Sequence, residues 1–156
     1  MARTPEELAL ALSSATFEAQ QRTETKLRER ATNVLSAASL VVPVAAIALG
    51  KGPAVVAIPF GGAALAYIWC ATECCRALFP RGFVTGIAGG RFLDEARRYH
   101  ADARQMEATA AGYLDRMHDD NLPTLEATAD QVKGAIVSLI VEIGAAAVAL
   151  VITLLN

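Results

Sequence analysis

Three long apolar stretches set the pattern of this sequence. Residues 31–50 and 54–72 carry no charged side chain, and residues 135–155 carry only Glu142. A helix that crosses the hydrocarbon core of a bilayer needs about 20 mainly apolar residues, which is roughly the length of each stretch. The pattern predicts an all-α integral membrane protein with three transmembrane helices. A soluble bundle of very apolar helices is the alternative.

The residues before the first stretch predict a cytosolic amphipathic helix over residues 1–30. Thr4 can cap this helix, and Glu7 completes a capping box. Its apolar residues recur at helical spacing, at Leu8, Leu12, Ala15 and Ala19. We expect this helix to run directly into the first span. Because residues 50–53 suffice only for a tight turn, residues 31–78 are predicted to form a transmembrane helical hairpin.

The central residues 79–122 predict a cytosolic loop followed by a long amphipathic helix. Pro80 is expected to end the second span, and a glycine-rich segment follows over residues 82–90. The helix after it carries a heptad pattern that is typical of a coiled coil. Its packing seam consists of Phe92, Ala96, Tyr99, Ala103, Met106, Ala110, Tyr113 and Met117. The seam requires a partner, either the N-terminal helix or the same helix of a second copy.

A second proline divides the last third of the chain. Pro123 follows a polar segment and predicts a break in the central helix. Residues 123–156 are then expected to form a separate long helix that ends in the third transmembrane span.

The charges predict how the spans are oriented. The net charge of −2 excludes a polyanion binder, and 54% hydrophobic residues with only 19% charged residues exclude a disordered chain. Lysines and arginines cluster before the first span and after the second, whereas only Lys51 lies between these two spans. The positive-inside rule therefore puts the N-terminus in the cytosol and the C-terminus outside. The alanine-rich, lysine-poor composition is compatible with a bacterial inner membrane.

Glu142 is the main candidate for a functional residue. A carboxylate near the middle of a span costs several kcal/mol unless it is neutralised, paired or hydrated. Glu142 could line an ion path, titrate, or hold an oligomer together, with Ser138, Ser36 and Ser39 as further polar side chains of the spans. The structural alternative is a protonated Glu142 that is hydrogen-bonded to Ser36, Ser39 or Tyr67.

The other reactive side chains predict no catalytic site, no metal site and no cofactor, so enzymatic activity is not expected. Cys70, Cys74 and Cys75 cluster at the end of the second span, where we expect small buried thiols, with palmitoylation as the alternative. His100 and His118 fall on the charged side of the central helix and are expected to be solvated. The candidates for binding lipid headgroups are Arg76, Arg81 and Arg91.

Several features of the layout occur together over residues 20–117. A basic segment with Thr25 and Lys26 precedes the first span, a tight hairpin follows, Pro80 and Arg81 come after the second span, and a long cytosolic helix completes the order. This layout resembles the small prokaryotic two-transmembrane effectors of nucleotide-signalling defence, such as SLATT proteins and the transmembrane effectors of cyclic-pyrimidine signalling. The third span departs from it. The resemblance implies an oligomer that permeabilises the inner membrane when triggered.

Two functional hypotheses follow from these features. The first is an oligomeric inner-membrane protein that forms or gates a pore or ion path, and in particular a membrane-permeabilising effector. The second is a membrane-anchored adaptor or scaffold whose cytosolic helices recruit a partner. The expected partners are the lipid bilayer and further copies of the chain, with a cytosolic protein or a small signalling ligand as an additional partner. Nucleic acid is not expected to bind.

Overall fold

The chain is built from long helices in the computed structural model, which describes residues 5–51, 54–80, 82 and 102–155. These residues contain no β-strand. The α-helices are α1 (Pro5–Lys51), α2 (Ala57–Leu78) and α3 (Ala103–Leu155), and a short 3-10 helix (Ala54–Val56) leads into α2. Each of these three α-helical segments is long and apolar enough to cross a membrane. The prediction of an all-α protein with three potential membrane spans is therefore confirmed.

α1 confirms that the N-terminal helix continues without interruption into the first apolar stretch. Its buried and half-buried positions follow one another in alternating steps of four and three residues. We call this row the α1 seam: Glu6, Leu10, Ser13, Phe17, Gln20, Glu24, Leu27, Ala31, Val34, Ala38, Val41 and Ala45. Such heptad spacing keeps one side of a helix against its neighbours along its whole length.

The α1 seam differs from the apolar face that helical spacing indicated. Leu8 is 50% exposed and Leu12 is 61% exposed, and Ala15 and Ala19 are exposed as well. Polar side chains take the inner positions instead, because they find hydrogen-bond partners on α3. The hydropathy pattern alone does not indicate which polar side chains will find such partners.

The described residues fall into two units. Unit 1 consists of α1 up to Thr25 and α3 up to Glu126, and unit 2 consists of α1 from Lys26, all of α2, and α3 from Ala127. α2 ends at Leu78, two residues before Pro80, which confirms that this proline marks the end of the helix.

Side-chain hydrogen bonds join α1 and α3 in unit 1. The Ser13 hydroxyl donates to a carboxylate oxygen of Asp115 at 2.7 Å, and the Gln20 amide donates to the backbone carbonyl of His118 at 2.9 Å. Both α1 and α3 advance between these two bonds, so the helices run parallel here. The N-terminal helix is thus the partner of the described part of the central helix.

The buried side of α3 in unit 1 differs from the packing seam that the sequence predicts. Of the sequence-predicted packing seam, Ala103 and Tyr113 are exposed, and Met106, Ala110 and Met117 are half-buried. The buried residue in this part of the helix is Ala111. Phe92, Ala96 and Tyr99 lie outside the described residues, as does His100. His118 is half-buried rather than solvated.

The predicted helix break at Pro123 is wrong, because α3 is one continuous helix from Ala103 to Leu155. A proline inside a helix removes one backbone hydrogen bond and costs about 3 kcal/mol. Packing offsets this cost, since Asn121, Leu125 and Thr128 are all buried on the inner side of α3. Pro123 itself is exposed and places its ring on the outer side.

Unit 2 has a core of small side chains and a surface of large apolar ones. Ala38, Cys70, Cys74 and Ala135 form the main core cluster. Its exposed apolar side chains include Leu40, Ile47, Ile58, Leu65, Ile68, Trp69, Val137, Ile140, Leu154 and Leu155. Keeping such a surface in water costs about 25 cal/mol per Å², whereas a lipid environment removes that cost. This distribution is consistent with helices that cross a membrane.

Candidate functional site

Glu142 lies on the inner side of α3 in unit 2. The positions that face inwards recur in steps of three and four residues, and they are Ala135, Ser138, Glu142, Ala146 and Ala149. Glu142 is 1% exposed. Neither of its carboxylate oxygens has a hydrogen-bond partner among the residues that the structure describes. The register of α3 therefore buries this acidic group without a hydrogen-bond partner among the described residues.

The core around this level of unit 2 is apolar. Two core clusters flank Glu142 along α3. One contains Ala135 and Leu139, and the other contains Val56, Ala149 and Ile152. At the level between these two clusters, the buried residues that α1 and α2 contribute are alanines, Ala45 and Ala63. No cation from α1 or α2 is buried beside the acid within the described ranges.

The serines of the first span do not satisfy Glu142. Ser36 and Ser39 are exposed, and the Ser39 hydroxyl donates to the Leu35 carbonyl of its own helix at 2.9 Å. Tyr67 is half-buried and packs against the main core cluster. The expectation that one of these three residues hydrogen-bonds Glu142 is therefore wrong for this structure.

Burying Glu142 in this way is costly in either protonation state. An ionised carboxylate without a partner in an apolar core is strongly unfavourable, and a neutral polar group without a hydrogen bond still costs about 1–3 kcal/mol. A purely structural role would be served better by an apolar side chain of similar size. The arrangement is suited to a group that takes up and releases a proton or contacts a cation.

Ser138 and two cysteines are further buried side chains of unit 2 that carry polar groups. Ser138 is buried one helical turn before Glu142, and its hydroxyl donates to the Gly134 carbonyl at 3.0 Å. Cys70 and Cys74 are buried on α2, one helical turn apart, in the core cluster that also contains Ala135 of α3. The expectation of small buried thiols is confirmed for this pair, whereas Cys75 is exposed.

Glu73 is another buried acid of unit 2 that the sequence analysis did not single out. It is buried on the inner side of α2, and its carboxylate accepts a hydrogen bond from Arg76 at 3.3 Å. A Cβ atom added to Gly134 on α3 would lie 3.7 Å from the Glu73 Cγ. The signal in the sequence was its position three residues after Cys70 and beside Cys74, on the same side of the helix.

The predicted headgroup-binding residues are only partly described. Arg76 extends from the end of α2, and 61% of its side chain is exposed despite the ion pair with Glu73. Arg81 and Arg91 lie outside the described residues. Within the described ranges, no group of three or more histidine, cysteine, aspartate or glutamate side chains is placed to hold a metal ion.

Comparison with models of protein families, with curated proteins and with solved structures finds no match to this chain. The layout resemblance to small prokaryotic membrane effectors therefore remains a prediction. The structure itself shows an all-α protein with three helices that are long and apolar enough to span a membrane.

Proposed function

We propose that this protein is an oligomeric inner-membrane protein that forms or gates an ion path, with Glu142 at its centre. The observation that carries the proposal is the burial of both Glu142 carboxylate oxygens without a hydrogen-bond partner among the described residues. Intramembrane acids are rare because they are costly, and they usually mark ion or proton pathways. A membrane-permeabilising effector is one form that such a protein can take.

In the proposed topology, the hairpin of α1 and α2 and the last part of α3 cross the bilayer. Charged residues gather at one end of unit 2, at Lys26, Arg28, Arg30, Arg76 and Lys133. Trp69 is exposed within two turns of that end, where an aromatic ring suits the membrane interface. By the positive-inside rule, this basic end faces the cytosol and the C-terminus faces outside.

An oligomer is part of the proposal because the core of unit 2 in a single copy is mainly apolar and rich in alanine. Gly62 and Gly144 are exposed on α2 and α3, and a Cβ atom added at either would meet nothing within 4 Å. Exposed glycines in membrane helices let the backbone of another helix approach closely. A path lined by several copies could be hydrated in a way that one copy is not.

The central test compares the membrane potential of bacteria that express the wild type, Glu142→Gln or Asp130→Asn. Glu142→Gln keeps the shape of the side chain and removes its titratable group. Asp130→Asn is the matched control, because Asp130 is an exposed acid of the same helix that pairs with Lys133. We expect the wild type and the control to depolarise the membrane, as followed with a potential-sensitive dye, and Glu142→Gln not to.

Other outcomes of this test have definite meanings. Equal depolarisation by all three proteins would keep the ion path and remove Glu142 from it. A wild type that reaches the membrane at a normal level and does not depolarise it, in cells or in liposomes, would contradict the proposal.

A membrane-anchored adaptor is the second candidate, and it is favoured by the surface of unit 1. Leu8 and Leu12 expose large apolar side chains on one face of α1, which suits the recruitment of a cytosolic protein. In this case the double variant Leu8→Ser with Leu12→Ser loses the partner in a pull-down from detergent, while Glu142→Gln keeps it. An ion leak that persists in the double variant would favour the first candidate.

A further inference from the structure

A row of polar side chains leads from the charged end of unit 2 to Glu142. On α3, Gly134, Ser138 and Glu142 follow at intervals of four residues and therefore share one side of the helix. At 1.5 Å per residue, the row spans about 12 Å along the axis. It begins at the level of Lys133, which is exposed, and ends in the apolar core.

α2 completes the row from the opposite side. Glu73 faces Gly134, and Cys74 and Cys70 follow on the same side of α2, in the core cluster that also contains Ala135 of α3. α1 contributes no titratable group at this level, since Val34, Leu35 and Ala38 are its residues in the adjoining core. Among the described residues, the titratable and charged groups along the row are therefore the two glutamates, the two thiols and Arg76, which pairs with Glu73. Lys133, which pairs with Asp130, lies at its outer end.

The charged end of the row is its accessible end. Glu73 keeps 12% of its side chain exposed and bonds to the largely exposed Arg76, so its carboxylate touches both solvent and core. Beyond Glu142, the buried positions of unit 2 in the described residues are apolar, with Val56, Ala146 and Ala149. Within the described residues, the buried polar side chains of unit 2 therefore lie on the Arg76 side of Glu142.

We propose that this row is a proton-access path in which Glu73 and Ser138 connect Glu142 to the side of the membrane that carries Arg76 and Lys133. The proposal rests on the proposed function, because it names the proton as the ion that Glu142 handles. The row offers far fewer than the six or more oxygen ligands that divalent metal cations prefer, which favours the proton.

The transfer along the row conserves protons and bonds. Protonated Glu73 gives its proton to the Ser138 oxygen while the original hydroxyl hydrogen of Ser138 passes to a carboxylate oxygen of Glu142. Glu73 becomes ionised, Glu142 becomes neutral and Ser138 is unchanged. The Ser138 hydroxyl, which bonds to the Gly134 carbonyl in this structure, rotates to make the second bond.

The test measures which side of the membrane sets the protonation of Glu142. The full-length protein is reconstituted in vesicles in one orientation and treated with dicyclohexylcarbodiimide, a probe that reacts with protonated carboxyl groups in apolar surroundings. Mass spectrometry then quantifies the labelled Glu142 peptide, with one side acidic and the other alkaline, and then with the gradient reversed. We expect labelling to be several-fold higher when the Arg76 side is the acidic one.

Substitutions at Glu73 and Gly134 test whether the path runs between these two residues. Glu73→Gln is expected to abolish the dependence on the pH of the Arg76 side, and Asp130→Asn is expected to retain it. Gly134→Leu would fill the space in front of Glu73 and is expected to act like Glu73→Gln. Gly134→Ala is its control, because the added Cβ atom makes only an ordinary contact at 3.7 Å.

The results that overturn the path differ from those that overturn the proposed function. Labelling that follows the opposite side, or both sides equally, or that is unchanged in Glu73→Gln, contradicts the path. Protection of Glu142 by excess sodium or potassium ions would assign it to a metal cation instead of a proton. An absence of ion leak with normal sided labelling would contradict the ion path while leaving the proton access in place.

Discussion

Buried polar side chains form hydrogen bonds between the helices of unit 1. Ser13 offers the clearest test of how much such a bond contributes to stability. Its hydroxyl is buried on the α1 seam and donates to the Asp115 carboxylate at 2.7 Å. A hydrogen bond of this kind contributes about 1 kcal/mol to stability. We expect Ser13→Ala to lower the free energy of unfolding by about this amount, as measured by circular dichroism during thermal unfolding in detergent.

Ser14→Ala is the matched control for that experiment. The neighbouring Ser14 hydroxyl bonds only to the Ala11 carbonyl of its own helix, at 3.0 Å, so removing it leaves the contact between helices intact. An equal loss of stability in both variants would show that the effect comes from serine itself and not from the bond to Asp115.

The buried polar side chains show what could be predicted at the residue scale. Glu142 stands alone in an apolar stretch, so its sequence context alone marks it as a candidate. The absence of a partner for it depends on the inner positions of α1 and α2, which are far away in the sequence. Ser13 and Gln20 were missed for the same reason, since their burial depends on hydrogen bonds to residues about a hundred positions later.

At the scale of elements, bilayer thickness makes the existence and length of the apolar helices predictable. Register and continuity are decided instead by packing. The seam inferred for the central helix placed Ala103 inside, yet this residue is exposed and Ala111 is buried. The prediction of a helix break at Pro123 was wrong for the same reason, because the polar residue Asn121 occupies a buried helical position and not a loop.

A pair of substitutions tests the register of α3. Adding methylene groups at a well-packed position costs about 1–3 kcal/mol, whereas an exposed position tolerates them. We therefore expect Ala111→Leu to lower the stability of the protein by this amount and Ala103→Leu to leave it unchanged. Thermal unfolding in detergent compares the two, and the opposite ranking would restore the sequence-predicted seam.

At the scale of the whole molecule, α1 and α3 each belong to a polar unit and an apolar unit. Unit 1 uses hydrogen bonds between helices, and unit 2 uses small side chains around a core that contains one unpaired acid. Both helices are continuous, from Pro5 to Lys51 and from Ala103 to Leu155.

The last prediction concerns assembly. In the single chain, Gly62, Gly144 and Gly112 are all exposed, with open space where a Cβ atom would lie. Replacing each by leucine is therefore expected to preserve the fold of one copy and even to favour helix by about 0.8 kcal/mol. If copies meet through the membrane helices, Gly62→Leu and Gly144→Leu reduce the oligomer in size-exclusion chromatography with light scattering. Gly112→Leu, which lies in unit 1, leaves it intact, and an oligomer that survives all three changes places the contact elsewhere.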